Sequence, residues 1–199
     1  MKQRFLLTLA VLFVSLPQTS AAQASGVRLT LGAAAPTSDS MQEAWKTGGA
    51  FGVAFDIPVS DAFTVRSLFA YSRFTLDKDN LIVDGVSGGE VGVLEGMIGL
   101  VYTFGFESSF VPYIAASGGL HWVSLADVSI SNSLLNLKLA VADRERAFGS
   151  KISGGVEYAF RERTHFFLEI DYTSSYIEGG SISYVATRIG VAFRSPDWF

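Results

Sequence analysis

The sequence predicts an all-β fold, an eight-stranded antiparallel up-and-down transmembrane β-barrel, on three observations. Segment after segment alternates between apolar residues and charged, small or hydroxylic ones, which gives each strand two unlike faces. The chain opens with a signal for export. It contains no cysteine in 199 residues. Together these observations predict a barrel that turns its apolar face outward, into lipid.

The first 24 residues are expected to form a cleavable signal peptide. Lys2 and Arg4 precede the apolar run Phe5–Leu16, and Ala22-Gln23-Ala24 offers a cleavage site after Ala24, or else after Ala22. The run is too short for a membrane anchor, because a spanning helix needs about 20 apolar residues. Residues 25–199 are then expected to form a single barrel domain.

The composition favours strands that cross a membrane. Of the residues 49% are hydrophobic and 17% are charged, yet no later stretch is long and apolar enough for a membrane helix. Alternating barrel strands produce this combination. The chain has 15 Lys and Arg against 19 Asp and Glu, which argues against nucleic acid as a partner. The absence of cysteine excludes disulfides and thiolate metal sites.

Eight strands are expected, in order, over Gly26–Ala35, Gly48–Ile57, Phe63–Phe74, Val91–Phe104, Phe110–Trp122, Lys151–Phe160, His165–Thr173 and Ser183–Phe193. The alternation gives each strand an apolar face, which a membrane barrel turns outward. That face carries Val27 and Leu29 in the first strand, Phe51 and Val53 in the second, Val65 and Phe69 in the third, Leu94 and Ile98 in the fourth, Ile114 and Trp122 in the fifth, Ile152 and Val156 in the sixth, Leu168 and Ile170 in the seventh, and Ile189 and Val191 in the eighth. Two strands are less clear. The third has Leu68 and Phe74 on its polar side, and the fourth is apolar on both faces except at Glu95.

The connections between these strands alternate between short and long. The short ones are Pro58–Asp61, Gly105–Ser109 and Arg161–Thr164, and the long ones are Pro36–Thr47, Leu76–Glu90, Val123–Ala147 and Ser174–Ile182. Short turns on one rim and long loops on the other are typical of an outer-membrane barrel, at its periplasmic and extracellular ends respectively. The even strand number leaves both termini on the short-turn rim.

Aromatic residues collect at both expected membrane interfaces. Beside the short turns lie Phe63, Phe104, Phe110, Phe160, Phe166 and Phe193, and toward the long loops lie Tyr71, Trp122, Phe148 and Tyr172. Two such rings are the aromatic girdles of a membrane barrel, where large side chains sit at the level of the lipid headgroups.

Short motifs along the chain resemble a known family. Val111-Pro112-Tyr113-Ile114 followed by Gly118-Gly119, then Gly154–Tyr158, then Leu168–Tyr172, resemble the small outer-membrane β-barrel superfamily of OmpA, OmpX and opacity-type proteins. The resemblance covers nearly the whole mature chain and implies a barrel in the outer membrane of a Gram-negative bacterium. It also implies contact with outer-membrane lipid and lipopolysaccharide, and a monomer.

The C-terminus resembles the strand signal that the barrel-assembly machinery reads in this family. The candidate signal residues are Phe193, which closes Ile189–Phe193, and the terminal Phe199. The chain departs from the family pattern because it runs on past Phe193 through Pro196, which fits poorly in a strand ladder. Either aromatic therefore remains a candidate.

The inward faces carry a set of opposite charges. Four cations, Arg28, Arg66, Lys151 and Arg188, face five anions, Asp56, Glu95, Glu157, Glu169 and Asp171. Eight strands enclose a space that side chains fill, so we expect a nearly neutral network with a structural role. Its centre is expected at Glu95, Lys151, Glu169 and Arg188, which lie near mid-strand. The family resemblance implies that such a network obstructs conduction.

Catalysis is not expected, and neither is a cofactor or a metal. Barrel enzymes need a nucleophile beside an oriented base. The two histidines, His121 and His165, both point inward but belong near opposite ends of the barrel. No serine lies two positions after His121, where barrel deacylases have one.

The longest connection, Val123–Ala147, has structure of its own. Within it, Asp127–Ser131 and Leu135–Val141 keep alternating across the turn-like pair Asn132-Ser133, and the charged run Asp143–Arg146 follows. We expect strands five and six to continue beyond the membrane as a protruding hairpin whose exposed edge can recruit a partner strand. A hairpin folded over the barrel mouth is the alternative.

The sequence therefore favours a structural or surface-interaction role, adhesion or partner binding through the extracellular loops. A narrow porin-like channel is the second hypothesis. A soluble lipocalin-like ligand carrier of the periplasm is the third, and it requires the opposite assignment of faces, with the charged side outward.

Overall fold

The computed structural model describes residues 25–78, 86–105, 108–132, 135–140, 143–178 and 180–195. Its elements in chain order are β1 (Ser25–Pro36), α1 (Asp39–Gln42), β2 (Gly48–Pro58), β3 (Phe63–Phe74), β4 (Val86–Gly88), β5 (Val91–Thr103), β6 (Phe110–Leu125), β7 (Val128–Asn132), β8 (Leu135–Ala140), β9 (Asp143–Arg161), β10 (Thr164–Ile177) and β11 (Gly180–Ser195). The expected signal peptide and Phe199 lie outside the described residues. Within those ranges no helix has the length and apolar character needed to cross a membrane.

Eight of the strands form a closed antiparallel barrel, in the order β1-β2-β3-β5-β6-β9-β10-β11. The first and last strands close it along the whole length of β1, from Ser25 opposite Ser195 to Pro36 opposite Tyr184. Each barrel strand pairs with the next barrel strand along the chain, and a short turn or a longer loop joins the two. The predicted eight-stranded up-and-down barrel, with short periplasmic turns and longer extracellular loops, is confirmed.

Closure fixes which residues face lipid. Leu31 and Ile152 are 66% and 65% exposed on the outer face, whereas Arg28 and Glu95 are buried inside. Successive residues of a strand point to opposite sides. Once the register of a strand is fixed, every one of its side chains is therefore placed either outside the barrel or inside it. In all eight strands the apolar residues that were predicted to face outward lie on the outer surface.

Aromatic contacts follow the two rims. On the periplasmic side the ring centroids of Phe160 and Phe166 lie 5.4 Å apart, and those of Phe110 and Tyr158 lie 4.9 Å apart. On the extracellular side the ring centroids of Phe51 and Tyr71 lie 5.5 Å apart. These pairs join neighbouring strands at the depth where the girdles were expected.

Inward glycines make room for large side chains. A Cβ at Gly155 would lie 2.6 Å from ring atoms of Tyr113, and a Cβ at Gly149 would overlap the ring of His121. A narrow barrel fills its taper by setting small residues opposite large ones. The glycines thus allow the lumen to be packed with side chains.

The loop after β1 folds into the outer mouth of the barrel. Its helix α1 buries Met41 in an apolar cluster made of Ala34, Met41, Ala50, Phe74, Val91, Val93, Val123, Tyr184 and Ala186, here called the mouth cluster. Trp45 packs against this cluster, and its Nε1 donates a hydrogen bond to the carbonyl oxygen of Gly89 at 2.8 Å. The first loop therefore covers the mouth, and Val123, at the start of the 123–147 connection, packs in the same cluster. The 123–147 hairpin folded over the mouth stays an alternative prediction.

The remaining strands form a second sheet, in the order β4-β7-β8, here called the loop sheet. Asn132 pairs with Leu135 across the expected hairpin turn, and Val86 of β4 pairs with Ile130 on the other side of β7. The charged run Asp143–Arg146 follows the hairpin of β7 and β8, as the sequence predicted, but is itself part of a barrel strand. Those residues belong to β9 and pair with β6 up to Leu125 opposite Asp143, so barrel strands continue beyond the expected rim.

Candidate functional site

The inward charges form two clusters at different depths. The periplasmic cluster is built on Arg66, whose Nε and Nη2 donate to the two carboxylate oxygens of Asp56 at 2.7 and 3.0 Å. Its Nη1 reaches Glu169 at 3.2 Å. A guanidinium that binds one carboxylate through two bonds fixes both side chains in direction as well as distance.

Arg28 and Glu157 extend the periplasmic cluster. Arg28 donates to Glu157 at 2.6 Å and to the hydroxyl of Tyr113 at 3.0 Å. Its guanidinium carbon also lies 3.8 Å from the ring centroid of Phe167, a cation–π contact. Glu157 additionally accepts two hydrogen bonds from Arg194, at 2.9 and 2.6 Å. Every carboxylate of this cluster therefore faces at least one guanidinium.

The outer cluster lies nearer the extracellular mouth. Lys151 Nζ is 2.6 Å from Glu95 and 3.6 Å from Asp171, and Arg188 Nε donates to Asp171 at 2.6 Å. The hydroxyl of Tyr184 donates to Glu95 at 2.5 Å. Since Tyr184 also belongs to the mouth cluster, the charged layer and the apolar layer above it are in direct contact.

The structure brings the nine expected charges together, but not around the centre that the sequence suggested. Glu95, Lys151 and Arg188 do meet, with Asp171 as their fourth member. Glu169 does not join them, because its partners are Arg66 and the Tyr113 hydroxyl in the periplasmic cluster. Expecting Glu169 at the same centre was wrong.

Sequence reasoning missed the neutral and rim members of the network. Tyr113 bridges Arg28 and Glu169, Tyr184 binds Glu95, and Arg194 binds Glu157. Strand alternation places all three side chains inward, so their inward direction was available from the pattern. Their partners, which lie on other strands, could not be predicted from the pattern.

The two histidines are far apart in the barrel, at different depths. His165 Nδ1 lies 2.6 Å from Glu157 in the periplasmic cluster. His121 Nδ1 lies 2.5 Å from the hydroxyl of Ser175, a pair on β6 and β10 that the sequence did not reveal. Both members of that pair are completely buried. No group of three His, Asp or Glu side chains suited to a metal ion occurs among the described residues.

The structure describes one of the two candidates for the C-terminal assembly signal. Phe193 lies outward on β11, opposite Val27 of β1 and Thr164 of β10, beside the periplasmic rim. Phe199 lies outside the described residues, so the choice between the two aromatics stays a prediction.

The loop sheet is the other candidate site, because it lies outside the barrel ladder. β7 is paired on both sides, by β4 and β8. Among the described residues no strand pairs with the outer side of β8, so its backbone groups form an open edge there. An open edge is a template on which another chain can add a strand.

A lipid-facing outer surface around a charged, filled lumen defines an outer-membrane β-barrel protein. The chain belongs to the outer membrane protein β-barrel domain family, whose model matches residues 6–194. The predicted family and the outer-membrane location are thereby confirmed. No curated protein matches the sequence. The periplasmic lipocalin-like carrier is set aside, because it requires a charged outer face.

Solved structures of other outer-membrane barrels share the fold. Neisserial surface protein A matches with a TM-score of 0.62 at 15% identity, over 86% of this chain and 97% of that one. Ail, the attachment invasion locus protein of Yersinia pestis, matches at 0.52 and 11%, over 86% and 99%. OprG from Pseudomonas aeruginosa matches at 0.51 and 15%, over 87% and 97%.

Proposed function

We propose that this protein is a closed, non-conducting outer-membrane barrel that binds a partner at the cell surface through its loop sheet. The observation that carries the proposal is the division of the molecule into a filled barrel and a separate extracellular sheet with an open edge. The barrel serves as the anchor, and the loop sheet serves as the contact surface.

Three layers in series support a closed lumen. The mouth cluster closes the outer end with apolar side chains, among them Met41 and Phe74. The outer cluster with Glu95 and Lys151 lies below it, and the periplasmic cluster built on Arg66 lies below that. An ion would have to displace paired, buried groups at two depths and cross an apolar layer as well, which argues against the narrow channel.

The open edge of β8 supports partner binding. Main-chain hydrogen bonds to an added strand give affinity without requiring particular side chains, while pockets beside the edge give specificity. The name of one structural neighbour, an attachment invasion locus protein, is in keeping with a surface-interaction role.

A binding role is favoured over catalysis. The Ser175–His121 pair superficially resembles a nucleophile and its base, but both side chains are fully buried beneath the mouth cluster. A hydrolase needs its nucleophile within reach of the substrate. We infer that the pair has a packing role.

One deletion tests both halves of the proposal. Leu125 and Asp143 are paired across the barrel ladder, so removing residues 128–140 leaves a short loop that can still join them. The refolded protein is examined in planar bilayers for conductance, and cells displaying it are examined for attachment to cultured host cells. Ser87→Ala is the matched control, because it removes an exposed hydroxyl of the loop sheet and leaves the β8 edge intact.

We expect neither the intact protein nor the deletion variant to carry a steady current. We expect the deletion, and not Ser87→Ala, to abolish attachment. A sustained current through the intact protein contradicts the closed lumen and favours the porin-like channel. Attachment that survives the deletion contradicts the role of the loop sheet.

A further inference from the structure

The lipid-facing surface is not uniformly convex. A groove of about 620 Å³ crosses five neighbouring strands, β1, β11, β10, β9 and β6, in the periplasmic half of the barrel. Apolar side chains line it, among them Leu29, Leu31, Val156, Phe166, Leu168 and Ile189. Because hydrocarbon surrounds this surface, whatever fills the groove must itself be apolar.

The strand register explains the shape of the groove. Leu29, Val191 and Phe166 are paired across neighbouring strands and form its lower wall, and Ile189 with Leu168 belongs to the row above. Between the two rows the residues point inward, so backbone forms the floor, as it does at Gly190. Five strands at a spacing of about 4.8 Å give the groove a length of roughly 19 Å, comparable with an extended acyl chain.

One end of the groove opens at the periplasmic rim. Phe110, at that end, is the first residue of β6, whereas Leu29, toward the other end, lies well inside β1. Strands of a barrel are tilted, so a row perpendicular to them climbs from the rim toward the middle of the membrane. A chain lying in the groove would therefore begin at headgroup level.

A basic turn lies at this rim. Arg161 ends β9, Glu162 and Arg163 connect it to β10, and all three are exposed. The guanidinium of Arg161 lies 5.4 Å from the ring centroid of Phe160, and the tilted ring of Phe160 contacts Phe166, which lines the groove. Contacts thus run without a break from an exposed cation at the rim to the groove wall.

We propose that this groove and turn form a binding site for an anionic phospholipid of the periplasmic leaflet. Arg161 and Arg163 bind its phosphate, and one acyl chain lies in the groove. A guanidinium presents paired donors that match phosphate oxygens, and cations near the membrane surface attract anionic lipids. The single acid of the turn, Glu162, leaves an excess of one positive charge. The site is independent of the loop sheet and does not rest on the function proposed above.

Native mass spectrometry of the refolded protein tests the site. The protein is refolded into vesicles of phosphatidylglycerol or of phosphatidylcholine and extracted into mild detergent, and retained phospholipids are counted. Two variants perturb it: Arg161→Gln with Arg163→Gln removes the cations, and Val156→Trp fills the groove. Two matched controls lie elsewhere on the outer face: Arg144→Gln with Arg146→Gln at the opposite rim, and Val53→Trp on β2. Heat-dependent gel mobility verifies that each variant is folded.

We expect one retained phosphatidylglycerol per intact protein and markedly less phosphatidylcholine. Each lost guanidinium should weaken retention roughly fivefold, Val156→Trp should abolish it, and both controls should keep it. Equal retention of the two lipids, or unchanged retention in the arginine variant, overturns the site. A dimer mass that Val156→Trp abolishes overturns it as well, because a second copy of the chain would then occupy the groove.

Discussion

At the scale of single residues, the lumen shows how a membrane barrel tolerates buried charge. Arg66 is buried, yet its guanidinium binds both Asp56 and Glu169. Removing ions from water is costly, and the cost is offset only when geometry and additional hydrogen bonds are favourable. The bidentate Asp56 contact and the ring of Tyr113, 5.5 Å from the guanidinium carbon, supply such conditions.

The first prediction concerns Arg66. Arg66→Met leaves Asp56 buried without its main partner and Glu169 with only the Tyr113 hydroxyl, so the free energy of unfolding should fall by roughly 3–5 kcal/mol. Urea unfolding in detergent or lipid, followed by gel mobility, measures it. Arg73→Met is the control. Arg73 pairs with Glu90 at the exposed outer rim, where solvent screens the pair. This substitution should therefore change the free energy of unfolding little. Equal losses in the two variants would contradict a structural role for the periplasmic cluster.

At the scale of elements, the sequence predicted all eight barrel strands because each crosses lipid. Strand β3 has the predicted bounds, β1 is longer than predicted by one residue at each end, and β2 is longer by one residue at its C-terminal end. The one large error is β9, which starts at Asp143 and was expected from Lys151. Above the membrane an outward residue need not be apolar, so Arg144 and Arg146 broke the pattern while the strand continued.

The elements that sequence reasoning missed depend on contacts distant in sequence. β4 has three residues and α1 has four, too few for any periodicity to show. Met41 is buried only because the mouth cluster surrounds it. The partners of the lumen charges were missed for a similar reason: strand parity points a side chain inward, but the tilt and stagger of the closed barrel decide which residues meet across it.

The second prediction tests the assignment of faces, and the lack of native cysteine makes it direct. Single cysteines at Ile152, Val156, Leu168 and Ile170 carry spin labels. Labels there should contact lipid tails, because these side chains lie on the outer face. Labels at Lys151 and Glu169 should not, since both side chains point into the lumen. Water or protein contacts at the four outer positions would contradict this assignment of the lipid-facing side.

At the scale of the whole molecule, closure of the lumen is distributed over three layers: the mouth cluster, the outer cluster and the periplasmic cluster. Resistances in series add, so the least permeable layer that remains sets the current. Tyr184 joins the first two layers through Glu95, and Asp171 lies two residues along β10 from Glu169 of the third. The layers are adjacent in space but differ in chemistry: the mouth cluster is apolar, and the two clusters below it consist of ion pairs.

The third prediction follows from this arrangement. Replacing residues 38–46 by a short turn uncovers the mouth, and replacing Glu95, Lys151, Asp171 and Arg188 together by serine removes the outer cluster without leaving an unpaired charge. Each variant alone, and the two combined, should stay non-conducting in planar bilayers, because the periplasmic cluster remains. A steady current should appear only when Arg28, Asp56, Arg66, Glu157 and Glu169 are also neutralised in a barrel that still shows the folded gel mobility. A current after loss of the mouth alone would mean that the ionic layers conduct, and the first loop would then be the gate of a channel.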